Sequence, residues 1–420
     1  MNLRSLASGC AALLICSAPL AAAAAQPHGQ WITAWATALQ PIPQLADPPP
    51  LYRVPEVAQR TVRQIIYPTL SGNAVRIHVS NAYGKAPLVI EEMVLARAVA
   101  GAKTQTGSGT RVTFSGKSAV TVAPGAELDS DVLHADIVAG APYAVSSYMG
   151  AGQRVVAWHR VSSQTNYLST PGNHTEDTAE AAYRQRFTQY VWVTALSVEA
   201  PSATAVAAIG DSITDGMRSS LNQNRRWPDA LARRLAQAGD RSTAVLNLGI
   251  SGNRLLSDSP CYGDALATRF RRDVLERPGV KTAILLIAIN DINFAGMPPH
   301  AGLDCDAPHT QVTADSLING YRQVIADAHA HGVRLLGATL TPASLSPQRE
   351  SIRVAVNQWI RTSRAFDGVV DFDAALRDPA QPTELRRGFD SGDHIHPSDA
   401  GYAAMAEVIP LSSLVGSAAK

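Results

Sequence analysis

The stretch Ala205-Val206-Ala207-Ala208-Ile209-Gly210-Asp211-Ser212-Ile213-Thr214-Asp215 decides the fold. An apolar run of this kind reads as a buried strand, and Gly210 is where it stops. A strand that ends there and turns sharply exposes the next residues at the carboxyl edge of a sheet, which is where open α/β folds place their ligands. Ser212 is therefore a candidate nucleophile. Gly-Asp-Ser is also an ordinary turn and cap sequence, so the tripeptide needs partners elsewhere in the chain before it means chemistry.

Outward from this stretch the rhythm is one of apolar strands alternating with helical segments. The pattern predicts strands at 205–209, 244–248, 282–287, 333–338 and 368–371, and helices near 227–238, 265–276, 314–331, 349–364 and 398–408. Such alternation implies a parallel sheet covered on both faces, a three-layer α/β/α arrangement. Upstream, from Gln30 to about Val198, the pattern changes to short alternating runs such as Val75-Arg76-Ile77-His78-Val79-Ser80 and Tyr190-Val191-Trp192-Val193, broken by turn-rich stretches. Period-two alternation indicates antiparallel strands, read here as a β-sandwich of jelly-roll type. The expected organisation is a leader at 1–25, a β-sandwich at 26–200 and an α/β domain at 201–420.

The partners for Ser212 lie in the second half. Near the C-terminus the chain reads Asp390-Ser391-Gly392-Asp393-His394-Ile395-His396-Pro397-Ser398. Asp393, three residues before His396, can fold back onto one imidazole nitrogen and leave the other free to take a serine proton. Between these ends lie Leu246-Asn247-Leu248-Gly249-Ile250-Ser251-Gly252-Asn253, a strand running into a Gly-rich turn, and Leu285-Leu286-Ile287-Ala288-Ile289-Asn290-Asp291, a strand ending in Asn-Asp.

The four blocks, in the order Ser, Gly, Asn, His, resemble those of the GDSL (SGNH) hydrolase superfamily over roughly residues 203 to 412. The resemblance implies a flavodoxin-like three-layer domain and a serine esterase site. Ser212 would be the nucleophile, His396 the base and Asp393 its orienter. The Ser212 and Gly252 amides with the Asn290 side chain would form the oxyanion hole. No cofactor and no metal are implied. The third block departs from the usual Gly-x-Asn-Asp in having Ala288 for the glycine, from which a slightly tighter pocket is expected.

Other readings attach to individual residues. Gly249 competes with Gly252 for the oxyanion position. Asp211, Asp215 and Asp291 read as caps or turn formers. Asp390, Asp393, His394 and His396 together could suggest a metal cluster, but the other strand ends offer no acidic or His-rich partner segment. His394 reads as a partly exposed loop residue, and Pro397 as the first residue of the last helix. Trp31, Trp35, Trp158 and Trp192 could stack on sugars, although large aromatics more often anchor a core. The segment from Pro298 to Gln311, with His300, Cys305 and His309, is a candidate overhang above the pocket.

Arg4, an apolar stretch through Leu20 and the run Ala21 to Ala25 have the makeup of a secretory signal peptide cut near Ala25. The reading expects a protein that is secreted or periplasmic, without a membrane anchor, and monomeric. Loss of Arg4 leaves basic and acidic side chains equal at 35 each, with no basic block, which argues against a nucleic-acid partner. Cys10 and Cys16 fall in the leader, so Cys261 and Cys305, 44 positions apart, remain to pair in an oxidising compartment.

The whole-chain plan looks like the exported branch of the superfamily associated with xylan and other carbohydrate acetyl esterases. A short-chain acyl ester on a small molecule or polysaccharide is the expected substrate. A lipase, lysophospholipase or broad short-chain esterase is the alternative of the same chemistry. An inactive polysaccharide-binding protein is the alternative of another class.

Overall fold

The computed structural model describes residues 29–414. The expected leader, with Arg4, Cys10, Cys16 and the expected cleavage near Ala25, lies outside the described residues.

Five parallel strands form the sheet of the second half, in the order Thr243–Gly249, Thr204–Gly210, Val280–Leu286, Arg334–Ala338 and Gly368–Val370. The strand leading to Ser212 thus lies between the next two strands of the chain. A crevice opens at its carboxyl end, where the connections leave in opposite directions. Register brings Gly210 opposite both Gly249 and Leu286, so the turns that follow all three strands emerge at one edge.

Helix Trp227–Gln237 packs with Asp399–Glu407, and Ala314–Ala330 with Pro347–Thr362, to cover the sheet. The third of these shows why the sequence forms a helix there. The Thr313 hydroxyl accepts from the Ser316 amide at 3.1 Å, and Leu317, Tyr321, Val324, Ile325 and Ala328 recur on the buried stripe.

Several expectations change in detail. The helix expected at 265–276 is α-helical over Leu266–Phe270 and continues as a π-helical turn over Arg271–Leu275, a distinction that apolar spacing does not carry. Pro397 precedes the last helix instead of opening it. Ser398 is the N-cap, its hydroxyl accepting from the Gly401 amide at 3.3 Å, while its own amide donates to Phe389 O at 2.7 Å. Short helices at Ser212–Asp215, Ile289–Phe294 and Phe372–Leu376 were not expected.

The first half is strand-rich and antiparallel. One sheet is built around Gly72–Ser80 with Val193–Glu199 and Trp31–Ala36. The other centres on Arg60–Ile66, Tyr143–Met149 and Leu88–Arg97. Val75, Ile77 and Val79 of the first, and Val62, Ile66 and Val145 of the second, enter one apolar cluster. The run at 190–193 is a strand only from Val193, and Tyr190 instead makes an isolated bridge with His159. Trp35, Trp158 and Trp192 are buried, and Arg76 covers the half-buried Trp31 ring at 4.4 Å, so these tryptophans are anchors and not a sugar-stacking platform.

The same apolar cluster continues into the parallel sheet. Thr69 Oγ1 accepts from the Val245 amide at 2.9 Å and donates to Val245 O at 3.1 Å, and the Thr33 amide donates to Pro278 O at 2.9 Å. These contacts hold the antiparallel region beside the strand Thr243–Gly249.

Candidate active site

Gly210 ends its strand with no room for a side chain, since a Cβ there would lie 2.0 Å from Leu286 O. The chain turns at once into the helix Ser212–Asp215, capped by Asp211, whose Oδ1 accepts from the Ile213 amide at 3.0 Å. Gly216 closes the turn at φ 93°. Ser212 is the first helical residue, 5% exposed, at the carboxyl edge of the sheet.

His396 reaches Ser212 from the loop before the last helix, with Nε2 2.8 Å from Ser212 Oγ and Nδ1 2.8 Å from Asp393 Oδ2. An ionised carboxylate can only accept, so Nδ1 carries the proton and Nε2 is free to accept from the serine hydroxyl. Asp393 is itself fixed by the His396 and Ile395 amides at 2.8 and 3.1 Å and by Arg218 Nε at 3.0 Å. Partial burial opposes its ionisation, yet the His396 amide, the His396 ring and the Ile395 amide hold it well below the usual carboxylate range. Its neighbours do not join in a metal cluster. His394 is 70% exposed, more open than expected, and pairs with Asp390 at 2.7 Å, separately from the His396–Asp393 pair.

On the other side of Ser212, Gly252 occupies the turn after the strand Thr243–Gly249 at φ 84°, with the Tyr262 ring against it, so a Cβ would meet that ring at 2.4 Å. Gly249 is still within the strand, packed on the Asp215 backbone. The Ser212 and Gly252 amides have no intramolecular acceptor among the described residues. Asn290, on the helix Ile289–Phe294, spends one Nδ2 hydrogen on Asn253 O at 3.0 Å and retains the other. The five residues singled out from sequence are thus the ones gathered along this edge.

Ala288, where a glycine was the pattern, has φ 102° and is wholly buried. Its consequence is backbone strain, a cost on the order of 1–3 kcal/mol.

The aspartates do more than cap. Asp291 is inside its helix and accepts from the Leu255 and Leu256 amides at 2.8 and 3.0 Å, tying the Gly252 turn to the Asn290 helix. Asp215 Oδ2 accepts from the Ser251 amide at 2.9 Å and hydroxyl at 2.6 Å, and Oδ1 faces His159 Nε2 at 2.9 Å. A histidine from the antiparallel half therefore clamps the turn next to Gly252. Arg269, fully buried, donates to Gly210 O, Leu248 O, Asn253 Oδ1 and Asp273 Oδ2 at 2.8–3.0 Å, satisfying both strand ends. No local motif marks His159 or Arg269, because their partners are distant in sequence.

Burial pushes the Asp211 carboxyl up to about 7, against the Ile213 amide and with added repulsion from Asp291 and Asp215. Burial likewise raises Asp291 to about 6, against the amides of Leu255 and Leu256.

Cys261 and Cys305 are joined in a disulfide. It holds the 298–311 segment on the turn that carries Tyr262, helped by Arg254 Nη1 on Asp306 O at 3.0 Å and Ser259 Oγ on Cys305 O at 2.7 Å. Among the described residues no helix is long and apolar enough to cross a membrane.

Residues 208–404 match the model of the GDSL-like lipase/acylhydrolase family. Similar solved structures include an acetylxylan esterase from Geobacillus stearothermophilus, 20% identical, covering 51% of this chain and 96% of its own, with a TM-score of 0.38. Another is a GDSL-like lipase from Bacteroides thetaiotaomicron, 18% identical, covering 50% of this chain and 87% of its own, with a TM-score of 0.35. No curated protein matches the chain.

Proposed function

From the match of residues 208–404 to the GDSL-like lipase/acylhydrolase family model, we propose that the chain is an exported serine esterase removing short acyl groups, acetyl first among them, from carbohydrate. The observation that carries this reading is the unbroken contact Ser212 Oγ, His396, Asp393, with 2.8 Å at each step.

In the proposed reaction His396 Nε2 takes the Ser212 proton as Oγ bonds to the ester carbonyl carbon. The resulting oxyanion is held by the Ser212 and Gly252 amides and the free Asn290 N–H, donors fixed before the charge develops. Collapse breaks the bond to the alcohol oxygen, which leaves with the proton from His396. Water then gives a proton to His396 and attacks the acyl-enzyme, releasing the acid and restoring Ser212. Asp393, ionised throughout, keeps the ring in the required tautomer and balances the imidazolium. None of these steps needs a cofactor. In this reading residues 26–200 are an accessory β domain that braces the catalytic turns through His159, and residues 1–25 direct export.

Acetate release from acetylated xylan, run beside p-nitrophenyl acetate, butyrate and palmitate with wild type and Ser212→Ala, tests the proposal. Serine-dependent acetate release with little palmitate cleavage supports it. Preference for palmitate makes the chain a lipase instead, and turnover that survives Ser212→Ala removes the serine mechanism.

A further inference from the structure

Arg160 is a largely buried residue whose guanidinium has no protein partner among the described residues. It follows the strand Ala157–Trp158 of the antiparallel half and is 9% exposed. Its Nε is closed to solvent and has no partner, and no hydrogen bond or ion pair among the described residues takes any part of its guanidinium. Its neighbours are aromatic faces, with Tyr262 and Tyr52 ring centroids at 5.8 and 5.9 Å from Cζ. Nε therefore lacks any partner, while the two Nη groups make no protein hydrogen bond among the described residues and stay open to solvent or to a ligand.

Its position ties it to the catalytic edge in two ways. Tyr262 is the ring that lies against Gly252, and the residue before Arg160 is His159, which clamps Asp215 of the Ser212 helix. The other charged groups near the Tyr52 and Tyr262 rings are Arg254 and Asp306. Arg254 donates to the carbonyls of Asp258, Asp306 and Ala307. The nearest cation to the Asp306 carboxylate that forms a pair with it is His300, at 3.9 Å. Arg160 is therefore left with its guanidinium donors free of protein partners among the described residues, with the Tyr262 ring beside it.

We propose that Arg160, beside the Tyr262 ring, is an anion subsite that binds a carboxylate on the alcohol part of the substrate, so that the preferred esters are acylated acidic sugars, uronic acid residues. The proposal rests on the esterase reading above and narrows its substrate. A carboxylate fits because its two oxygens match the planar guanidinium fork in a bidentate pair, and the low-dielectric aromatic walls strengthen that pair. Neutral sugars offer the guanidinium no charged partner in place of its water.

The test uses the mature enzyme and two substrates that differ only at one carbon, acetylated methyl glucuronoside and acetylated methyl glucoside. Wild type is expected to favour the acidic ester in kcat/KM by roughly 10- to 100-fold, the worth of one charge-assisted pair. Arg160→Gln should bring that ratio to near one, and Arg160→Lys, which keeps the charge but not the fork, should fall between. Equal kcat/KM for the two esters in wild type overturns the subsite while leaving the esterase reading intact. Absence of turnover on both esters and on p-nitrophenyl acetate overturns the esterase reading and the subsite with it. If thermal unfolding shows that Arg160→Gln does not fold, inhibition of wild-type p-nitrophenyl acetate hydrolysis decides. Competitive inhibition by free glucuronate but not by glucose supports the subsite, and equal inhibition or none overturns it.

Discussion

Replacing Asp211 by Asn should make the protein more stable at alkaline pH, although it removes the charged form of a helix cap. Asp211 is fully buried, its Oδ1 has one hydrogen bond from the Ile213 amide, and its Oδ2 has none. Its carboxyl holds a proton to about 7 in the fold and would release it near 3.8 in the unfolded chain. Between those values the folded state binds more protons, so its stability falls as pH rises through that window. Three units correspond to about 4 kcal/mol as an upper bound. Asn keeps the Oδ1 acceptor, so the cap survives, and it has no proton to lose. Urea unfolding at pH 4.5, 6 and 8 should therefore give curves for the two proteins that agree to about 1 kcal/mol at the lowest pH and diverge upward, with Asp211→Asn ahead by at least about 2 kcal/mol at pH 8. Parallel pH dependences, or a variant weaker than wild type at pH 8, would refute the burial argument. Asp291, raised to about 6, leaves a smaller decline of the same sign in both proteins.

Three other outcomes are expected. Asn290→Ala should lower kcat on p-nitrophenyl acetate by about 10²–10³ if its free N–H serves the oxyanion, and a near-normal rate removes it from that role. His159→Ala leaves the buried Asp215 carboxylate facing a void, so denaturant titration should show a loss of about 3–5 kcal/mol, and kcat should drop as the Ser251–Gly252 turn loosens. A double Cys261→Ser, Cys305→Ser chain loses a cross-link spanning 44 positions, worth about 4 kcal/mol in chain entropy, readable as a lower unfolding midpoint.

The parallel half was legible because its strands are apolar throughout and its long helices have a clear apolar stripe. All five strands lie within two residues of where periodicity puts them. The meeting of these residues was legible because Ser212, Gly252 and Asn290 follow neighbouring strands of one sheet and His396 shortly precedes the last helix. Helices of four to six residues, such as Ser212–Asp215 and Ile289–Phe294, are too short to show a period. The buried polar network was hidden for a different reason. His159 meets Asp215 across 56 positions and Arg269 meets Gly210 O across 59, and neither pairing leaves a local pattern. Arg160 was hidden too, because an arginine in a strand-rich region reads as surface until its burial is known.

The central claim is that Ser212 is the nucleophile activated by His396. Intact mass and peptide mapping after treatment with a stoichiometric amount of an alkyl phosphonofluoridate tests it most directly, since this reagent bonds fastest to an activated serine hydroxyl. A single adduct on Ser212, abolished in Ser212→Ala and strongly slowed in His396→Ala, is the predicted result. An unmodified Ser212, or an adduct on another residue, would contradict the account.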